Sequence, residues 1–306
     1  MNETILGNQL RKVPSIAVGC MRLSEKSKEE MNHFIHSALE QGAYFFDHAD
    51  IYGGGMSETV FGDAFSHDPS LKREDVFLQS KCGIRQGCYD LSKEYILEAV
   101  DGILKRLRTD YLDLLLLHRP DALVEPEEVA AAFDVCLTAE RSAILVFPTI
   151  NQCRSHSCRS MSASHWLQIR YSSAFRFPTW LQMGWKSIWK HRVLSTTTEV
   201  CLTTAVSTTL PFRHGLPFQM PAWKGCFLGS DEYPELNQKL RELAEKYHVS
   251  DTTIAAAWIL RHPANMQLIT GTASESRLRE IIAACDIALT RKEWYELYLA
   301  AGHPLP

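Results

Sequence analysis

Four titratable side chains stand at the ends of short apolar segments in the first part of the chain: Asp47, Tyr52, Lys81 and His118. The segments that precede them are Tyr44–Phe46, Val76–Leu78 and Tyr111–Leu117, and helical patterns separate each segment from the next. A phenol beside an ammonium, a carboxylate and an imidazole is a set of groups that can deliver a proton. We therefore interpret these four residues as a proton-donor site formed where successive strands end.

Strand and helix patterns alternate on either side of these residues. The predicted strands are Ile16–Met21, Tyr44–Phe46, Val76–Leu78, Tyr111–Leu117 and Met266–Thr270. Apolar residues at helical spacing predict helices over Met31–Leu39, Ser57–Phe65, Ile96–Leu107, Pro126–Phe133, Leu236–Tyr247 and Ser250–Leu260, with two more after Thr270. This alternation predicts an α/β fold with a parallel sheet and right-handed crossovers. In its closed form, the (β/α)8 TIM barrel, the chemistry lies at the carboxyl ends of the strands.

Composition limits the classes of protein to which the chain can belong. Its 306 residues, of which 45% are hydrophobic, suffice for one barrel or for two smaller domains. The formal net charge of -4 gives no general attraction to nucleic acids or acidic membranes. No signal peptide is apparent at the start, and the leucine run ending at Leu117 is too short to cross a bilayer. The nine cysteines include no C-x-x-C pair, which favours reduced thiols in a cytoplasmic protein over disulfides or a metal site.

The stretch between Arg141 and Ser230 differs from both of its flanks. Glu199 is its only acidic residue, although the whole chain has 36. Arginine, serine, threonine, tryptophan and cysteine are concentrated there, and neither helical spacing nor clean strand alternation is evident. A surface helix of a globular protein carries a charged and polar face, so this composition is abnormal for a chain with these flanks.

The flanks contain a series of motifs that can be compared with known families. In chain order they are D-H-A-D-I-Y-G-G at Asp47–Gly54, S-K-C-G at Ser80–Gly83, L-L-L-L-H-R-P-D at Leu114–Asp121, F-L-G-S-D at Phe227–Asp231 and T-G-T-A-S-E-S-R-L at Thr270–Leu278. Together they resemble the aldo-keto reductase superfamily, and in particular its bacterial oxidoreductase branch that carries D-H-A-D-I-Y-G-G. The resemblance extends from Val13 to Phe133 and from Pro217 to the end. It implies a single (β/α)8 barrel domain over residues 1–306.

The resemblance also implies an activity, namely the NADP(H)-dependent reduction of a small aldehyde or ketone to an alcohol. Tyr52 would be the general acid, with its pKa lowered by Lys81. Asp47 would pair with Lys81, and His118 would hydrogen-bond the carbonyl oxygen of the substrate. Neither the identity of the substrate nor the oligomeric state follows from any motif.

The cofactor residues implied by the resemblance are Met21, Arg22, Gly271, Thr272 and Arg277. Gly271 and Thr272 would offer backbone amides to a phosphate at a helix N-terminus. Arg277 would contact the adenosine 2′-phosphate, which favours NADPH over NADH. Many relatives have a lysine where Gly271 stands, so NADH remains an alternative. No G-x-G-x-x-G motif is present, so no Rossmann domain is expected.

The abnormal stretch replaces the segment in which the family carries strands five to seven, with G-V-S-N, then N-Q, then an aromatic residue before S-P-F. Back-translation with a one-base shift recovers these features in order. Leu137–Thr149 gives a segment ending in G-V-S-N, Trp166–Ala174 gives V-A-N-Q-I-Q-L-S, and Cys201–Leu216 gives a segment ending in F-Q-A-W-S. We therefore hypothesise that about Cys136 to Leu216 is out of frame between two compensating base changes. A genuine divergent insertion is the alternative.

Two other functional interpretations stay open beside the reductase. A chain whose strands five to seven are disrupted could be an inactive, poorly folded product that cannot close its barrel. A non-redox barrel, such as a metal-dependent hydrolase, is the other alternative. His48, Asp50 and His118 could be considered metal ligands, but they form no H-x-H or H-E-x-x-H pattern, and no metal is predicted.

Overall fold

The computed structural model describes residues 2–6, 11–119, 121–141, 145–146, 213–215, 217–218, 225–263 and 266–305. Most of the predicted out-of-frame segment, Cys136–Leu216, lies outside these residues. The chain divides into two compact units, one comprising Met1–Ala17 with Ala174–Pro306 and the other comprising Val18–Ser173. The two units are described separately, and the single domain over residues 1–306 remains a prediction.

The secondary structure follows the predicted alternation. The helices of the described residues are α1 (Lys28–Glu40), α2 (Met56–His67), α3 (Lys93–Leu107), α4 (Pro126–Thr138), α5 (Pro234–Tyr247), α6 (Asp251–Leu260), α7 (Glu275–Ala283) and α8 (Arg291–Ala300). Their strands are β1 (Glu3–Leu6), β2 (Arg11–Pro14), β3 (Ile16–Gly19), β4 (Phe45–Asp47), β5 (Phe77–Cys82), β6 (Ile84–Arg85), β7 (Cys88–Tyr89), β8 (Leu114–Leu117), β9 (Leu145–Val146), β10 (Arg213–Gly215) and β11 (Gln267–Thr270).

Within Val18–Ser173, a parallel sheet runs from the end of β3 through β4, β5 and β8 to β9. Strands β4, β5 and β8 are buried along their whole length, as is usual in parallel sheets. Phe45 and Phe77 stack across the β4–β5 pair with ring centroids 4.3 Å apart, and all four leucines of β8 are buried. The sheet therefore brings the carboxyl ends of β4, β5 and β8 to one edge.

Helix α1 shows why these predictions succeeded. Ser27 caps its N-terminus in a capping box with Glu30, and Met31, Phe34 and Ile35 face the core. Gly42 then takes a φ of 79°, which allows the chain to leave the helix and turn toward β4. The predicted N-cap Ser92 of α3 is likewise confirmed, since its side chain accepts a hydrogen bond from the Tyr95 N–H.

The unit formed by residues 1–17 and 174–306 contains the parallel pair of β10 and β11 and helices α5 to α8. Leu268 of β11 donates its N–H to the Ser15 carbonyl at 2.8 Å. Trp258 and Trp294 stack with ring centroids 4.5 Å apart, and each indole N–H donates to the backbone carbonyl of the other residue. This exchange satisfies both buried indole donors while joining α6 to α8.

Several short elements differ from the predictions. The antiparallel hairpins β1–β2 and β6–β7 were not predicted, because their short strands contain no continuous apolar run of the kind that marks β8, for example. Strand β8 begins at Leu114 rather than at Tyr111, since the buried Asp113 carboxylate accepts hydrogen bonds from the Leu78 N–H and from Arg73. Inside the segment predicted to be disrupted, β9 pairs with β8, and β10 pairs with β11.

Candidate active site

The four residues of the predicted proton-donor site all lie in the unit Val18–Ser173, and three sheet strands position them. Asp47 is the last residue of β4, Lys81 is the penultimate residue of β5, and His118 directly follows β8. The backbone of His118 is joined to the neighbouring strand β5, because its N–H donates to the Cys82 carbonyl at 2.6 Å. Tyr52 begins a short 3₁₀ turn after β4. The strand order thus brings three of the four side chains to one sheet edge, and the turn adds the fourth.

The Lys81 ammonium is the centre of the site. It donates three hydrogen bonds, to Asp47 Oδ2 at 2.9 Å, to the His48 carbonyl at 2.8 Å and to Tyr52 Oη at 3.1 Å. Lys81 is only 9% exposed. Burial alone would lower the pKa of this ammonium, but Asp47 and Tyr52 outweigh burial and hold the pKa above its ordinary value. Lys81 is therefore a permanent positive charge beside the Tyr52 hydroxyl.

Asp47 has a second partner that the sequence prediction missed. Gln79, which faces Asp47 across the β4–β5 pair, donates its side-chain amide to Asp47 Oδ1. Gln79 and Asp47 are both buried. A signal was present, because Gln79 lies two residues before Lys81 and so shares its face of the strand. Both oxygens of the carboxylate are thus engaged, which fixes the direction from which it meets Lys81.

The Tyr52 phenol departs from the prediction in its acidity. Burial is the largest influence, and it raises the pKa of Tyr52 above its ordinary value. Lys81 lowers this pKa, as predicted, but it does not overcome burial, so the net shift is upward. Tyr52 is accordingly a protonated phenol at neutral pH, with a cation placed to receive the charge that forms when the proton leaves.

His118 contacts Tyr52 through its ring. The two rings meet edge to face, with centroids 6.0 Å apart. Burial, together with the positive charges of Lys81 and Arg119, lowers the pKa of His118 to about 3. The imidazole is therefore neutral at physiological pH and carries a single N–H donor. Its Nδ1 atom is buried and has no hydrogen-bond partner among the residues that the structure describes.

His48 and Asp50 belong to the support of the site. His48 is fully buried edge-on against the Phe61 ring of α2, and its carbonyl accepts the Lys81 hydrogen bond. Asp50 accepts a hydrogen bond from the Tyr95 hydroxyl at 3.1 Å. Their ring and carboxylate are thus directed toward helices α2 and α3.

The turn after Tyr52 needs its glycines. Gly53, Gly54 and Gly55 have φ angles of 59°, 64° and 92°, a left-handed path that other residues rarely follow. A Cβ on Gly53 would approach Ser24 Cβ to 2.6 Å, and one on Gly55 would approach the Arg106 side chain to 3.0 Å. Larger residues at Gly53 and Gly55 would therefore collide with neighbouring side chains. The glycine turn leads directly into α2.

The predicted cofactor residues fall in both units. Met21 and Arg22 form a turn shortly after β3, in the unit Val18–Ser173. Gly271 and Thr272 follow β11 in the other unit, where Thr272 Oγ1 accepts the Ser274 N–H at 3.0 Å. Arg277 is exposed in the first turns of α7. Ser274, at the N-cap of α7, makes no capping hydrogen bond with its side chain.

Two kinds of feature are absent from the part of the chain that the structure describes. None of its helices is long and apolar enough to cross a membrane. In that same part, no three His, Cys, Asp or Glu side chains are grouped so that they could hold a metal ion.

Comparison with known proteins agrees with this geometry. The chain is 29% identical to oxidoreductase YdhF of Escherichia coli, over 92% of this chain and 90% of that protein. It is 26% identical to a 6-dehydroglucose reductase of Agrobacterium fabrum, over 98% of each chain. An aldo-keto reductase from Klebsiella pneumoniae, solved in complex with NADPH, superposes with a TM-score of 0.74 at 19% identity, over 100% of this chain and 98% of that one.

The structural likeness shows the fold and confirms the predicted (β/α)8 class. The model of the aldo/keto reductase family matches residues 15–137 and 206–298, which is more than half of the chain and includes all four residues of the proton-donor site. Residues 138–205, most of which belong to the compositionally abnormal stretch, lie outside that match. The chain belongs to the aldo/keto reductase family.

Proposed function

We propose that the protein reduces an aldehyde or ketone to an alcohol with NADP(H), and that Tyr52 delivers the proton. The observation that carries the proposal is the buried Lys81 ammonium bonded to both Asp47 and Tyr52. A cation held in this way stabilises negative charge on the phenol oxygen, which a proton donor requires. The family supports the same chemistry.

The residues proposed to hold the cofactor fit a phosphate-bearing group. The N-terminus of α7 lacks a side-chain cap, so its first amides remain suited to an anion. Arg277 adds an exposed guanidinium in the first turns of this helix. Gly271 and Thr272 precede this helix, while Met21 and Arg22 would border the nicotinamide. When bound, the reduced nicotinamide supplies the hydride that adds to the carbonyl carbon.

Tyr52 completes the reduction by giving its proton to the carbonyl oxygen as the new C–H bond forms. The raised pKa of Tyr52 keeps the phenol protonated until this moment. Lys81 then stabilises the tyrosinate, and Asp47 together with Gln79 keeps the ammonium in place. His118, neutral because its pKa is about 3, orients the carbonyl oxygen through its N–H and does not act as an acid.

The substrate class follows from the chemistry and from one relative. The proposed acid needs only a carbonyl carbon accessible to a hydride and an oxygen within reach of Tyr52. Because the Agrobacterium fabrum relative is named a 6-dehydroglucose reductase, 6-dehydroglucose is a suitable first compound to test. An activated aromatic aldehyde, 4-nitrobenzaldehyde, tests the chemistry without depending on a specific pocket.

The variant Tyr52→Phe tests the proposal because it removes the proton and keeps the ring. We expect kcat for 4-nitrobenzaldehyde reduction to fall by about 10³-fold, the range typical of a lost general acid. Steady-state oxidation of NADPH measures the rate. Tyr89→Phe is the matched control, since Tyr89 lies exposed in the β6–β7 hairpin and should leave kcat unchanged. An undiminished rate for Tyr52→Phe would contradict the mechanism.

A second candidate is supported by the interruption of the family match at residues 138–205. The product of a gene with an out-of-frame segment would retain the four catalytic residues but lack much of the nicotinamide side of its barrel. Such a chain would neither reduce carbonyls nor bind NADPH. Binding of NADPH by the purified full-length protein distinguishes the two candidates.

A further inference from the structure

We infer that Arg106 is a positioning residue. It holds the segment Asp50–Glu58 in place, and thereby also the phenol of Tyr52, which this segment carries. This inference rests on the proposed function. Arg106 lies near the end of α3, outside the hydrogen bonds that join Lys81 to Asp47 and Tyr52. Its contacts instead converge on the segment that carries the proton donor.

The first contact joins Arg106 to Glu58, which is fully buried near the start of α2. Arg106 Nε donates to Glu58 Oε2 at 2.8 Å, while Ser80 Oγ donates to Glu58 Oε1 at 2.5 Å. Ser80 immediately precedes Lys81 on β5. One carboxylate thereby links α3, the start of α2 and the strand that carries the central ammonium.

The second contact lies within the glycine turn. A Cβ on Gly55 would come within 3.0 Å of Arg106 Cδ and 3.1 Å of Arg106 Nε, so the guanidinium stem packs directly against the Gly55 backbone. Gly55, the last residue of the left-handed turn, is therefore in contact with the Arg106 side chain. Displacement of that side chain would leave the turn without its support.

The third interaction is electrostatic and concerns Asp50, at the opposite end of the segment. Burial raises the pKa of the Asp50 carboxyl, while the hydrogen bond from Tyr95 and the positive charge of Arg106 act in the opposite direction. The backbone N–H of Asp50 donates to the Lys81 carbonyl at 3.0 Å. Arg106 thus acts on Asp50, Gly55 and Glu58, which lie on either side of Tyr52 in the sequence.

Such an arrangement matters because proton transfer is sensitive to small displacements. A misplacement of about 1 Å can cost on the order of 10²-fold in rate. Lys81 Nζ donates a hydrogen bond of 3.1 Å to Tyr52 Oη, which orients the hydroxyl. This single bond does not fix the backbone that carries the ring. Arg106 supplies that constraint.

A double-mutant cycle between Arg106→Met and Tyr52→Phe tests the inference, with 4-nitrobenzaldehyde and NADPH as the probes. In the wild-type background, Arg106→Met should lower kcat by about 10-fold or more and leave the KM for NADPH unchanged. In the Tyr52→Phe background, the same substitution should change the residual rate by less than about 2-fold. A purely structural loss would instead lower both rates equally, and that result would overturn the inference.

Removal of Arg106 alone leaves the buried Glu58 carboxylate without its cation, which can impair folding. The cycle is therefore repeated with Glu58→Gln/Arg106→Met, which removes both charges. If kcat of this double variant falls when Tyr52 is present but not in the Tyr52→Phe background, the inference is supported. If kcat of the double variant equals that of wild type, the inference is refuted. Arg108→Met is the matched control, because Arg108 joins α3 to Asp63 of α2 at the exposed end of the same helix pair.

The outcomes also separate the inference from the proposed function. A fully active Tyr52→Phe variant refutes the proposed mechanism and removes the basis of the inference. An inactive Tyr52→Phe variant together with an unaffected Arg106→Met variant refutes only the role of Arg106.

Discussion

At the scale of single residues, two different groups of the site carry the proton and stabilise the charge: Tyr52 carries the proton, and Lys81 stabilises the negative charge left on the phenol oxygen. Burial keeps the Tyr52 phenol protonated, while Lys81, with a pKa raised by Asp47 and Tyr52 against burial, remains charged. Neither group needs to titrate near neutrality for the proposed reaction. The transition state gains from Lys81 only as the phenol loses its proton, which is the condition for catalysis.

The pH profile should show that His118 does not act as an acid. With the His118 pKa at about 3, we expect kcat/KM for 4-nitrobenzaldehyde to stay level from about pH 5 to 8. An imidazolium donor would lose activity as the pH rises through its ordinary pKa. Steady-state rates across this interval in a constant-ionic-strength buffer give the profile, and a decline centred near the ordinary pKa of histidine contradicts the assignment.

The sequence permitted some of these residue-level conclusions and not others. Asp47, Tyr52, Lys81 and His118 could be selected because each ends or follows an apolar segment, and the structure brings them together. The direction of the Tyr52 pKa could not be predicted, because it depends on the depth of burial, which spacing does not reveal. Gln79 was missed because an amide inside an apolar strand has no titratable group to attract notice.

At the scale of elements, α2 and α3 approach closely at Gly62. A Cβ at this position would lie 2.2 Å from the Arg106 carbonyl oxygen and 2.7 Å from the Leu107 carbonyl carbon. Backbone atoms of a helix cannot move aside as a flexible side chain can. The glycine therefore sets the distance between the two helices that support the Tyr52 segment.

Gly62→Ala should separate these helices and destabilise the protein by about 2 kcal/mol, despite the better helix propensity of alanine. Denaturant unfolding monitored by circular dichroism measures the loss. Gly102→Ala is the matched control in α3, since the atoms nearest to its Cβ would belong to the end of a side chain, Arg106, with Nη1 at 2.9 Å, and not to the backbone of another helix. Equal stability of the two variants would show that the close approach is not limiting.

Glu293 joins α8 to α5 and gives that contact a dependence on pH. Burial opposes ionisation, but hydrogen bonds from Lys246, Thr290 and Tyr247 outweigh burial and lower the pKa of Glu293 to about 2. A carboxylate with a depressed pKa stabilises the fold above its ordinary value, and the stabilisation is lost as the pH falls toward the folded-state pKa. The contact should therefore weaken only in acid.

Glu293→Gln should lower the free energy of unfolding by about 2 kcal/mol at neutral pH, with the difference from wild type shrinking as the pH falls below about 4. Urea titrations at neutral and acidic pH, followed by tryptophan fluorescence, measure both values. Glu296→Gln is the control on the same helix, because Glu296 pairs with Lys239 and Lys292 in partly exposed contacts. A difference that does not change with pH would contradict the assigned pKa.

The long helices and the strands of the parallel pairs could largely be predicted, and the short hairpin strands could not. Helix α1 repeats its apolar face several times and starts at a capping box, so its period and its N-terminus are both encoded locally. The two-residue strands β6 and β7 have no period, and their pairing depends on the turn at Gly87. Strand β5 extends to Cys82 because Ser80 and Lys81 bury their polar groups in hydrogen bonds, which hydropathy alone does not show.

At the scale of the whole molecule, the gap in the family match overlaps the stretch of abnormal composition. The match ends at residue 137 and resumes at residue 206, so the gap lies within the out-of-frame segment hypothesised over Cys136–Leu216, and the match includes the last residues of that segment. The short strand β9 precedes residues 147–212, which the structure does not describe, and the short strand β10 follows them. The single domain and the cytoplasmic location remain predictions.

Sequencing of the gene across the codons for Ala130 to Gln219 should reveal two compensating single-base changes. Restoration of the frame would supply the expected strands, and the restored protein should bind NADPH and gain several degrees in melting temperature on saturation. Thermal denaturation with and without NADPH, for both the restored and the present chain, provides the comparison. A verified gene whose present product binds NADPH would contradict the frameshift hypothesis.

The paired indoles of Trp258 and Trp294 have a spectroscopic consequence. Two nearly parallel rings with centroids 4.5 Å apart couple their electronic transitions, so they should produce an exciton couplet in far-ultraviolet circular dichroism. Each indole proton is also held by the carbonyl of the other residue and should exchange slowly with deuterium. Because both rings belong to the unit formed by residues 1–17 and 174–306, the molecule contains an intrinsic optical label for one unit alone.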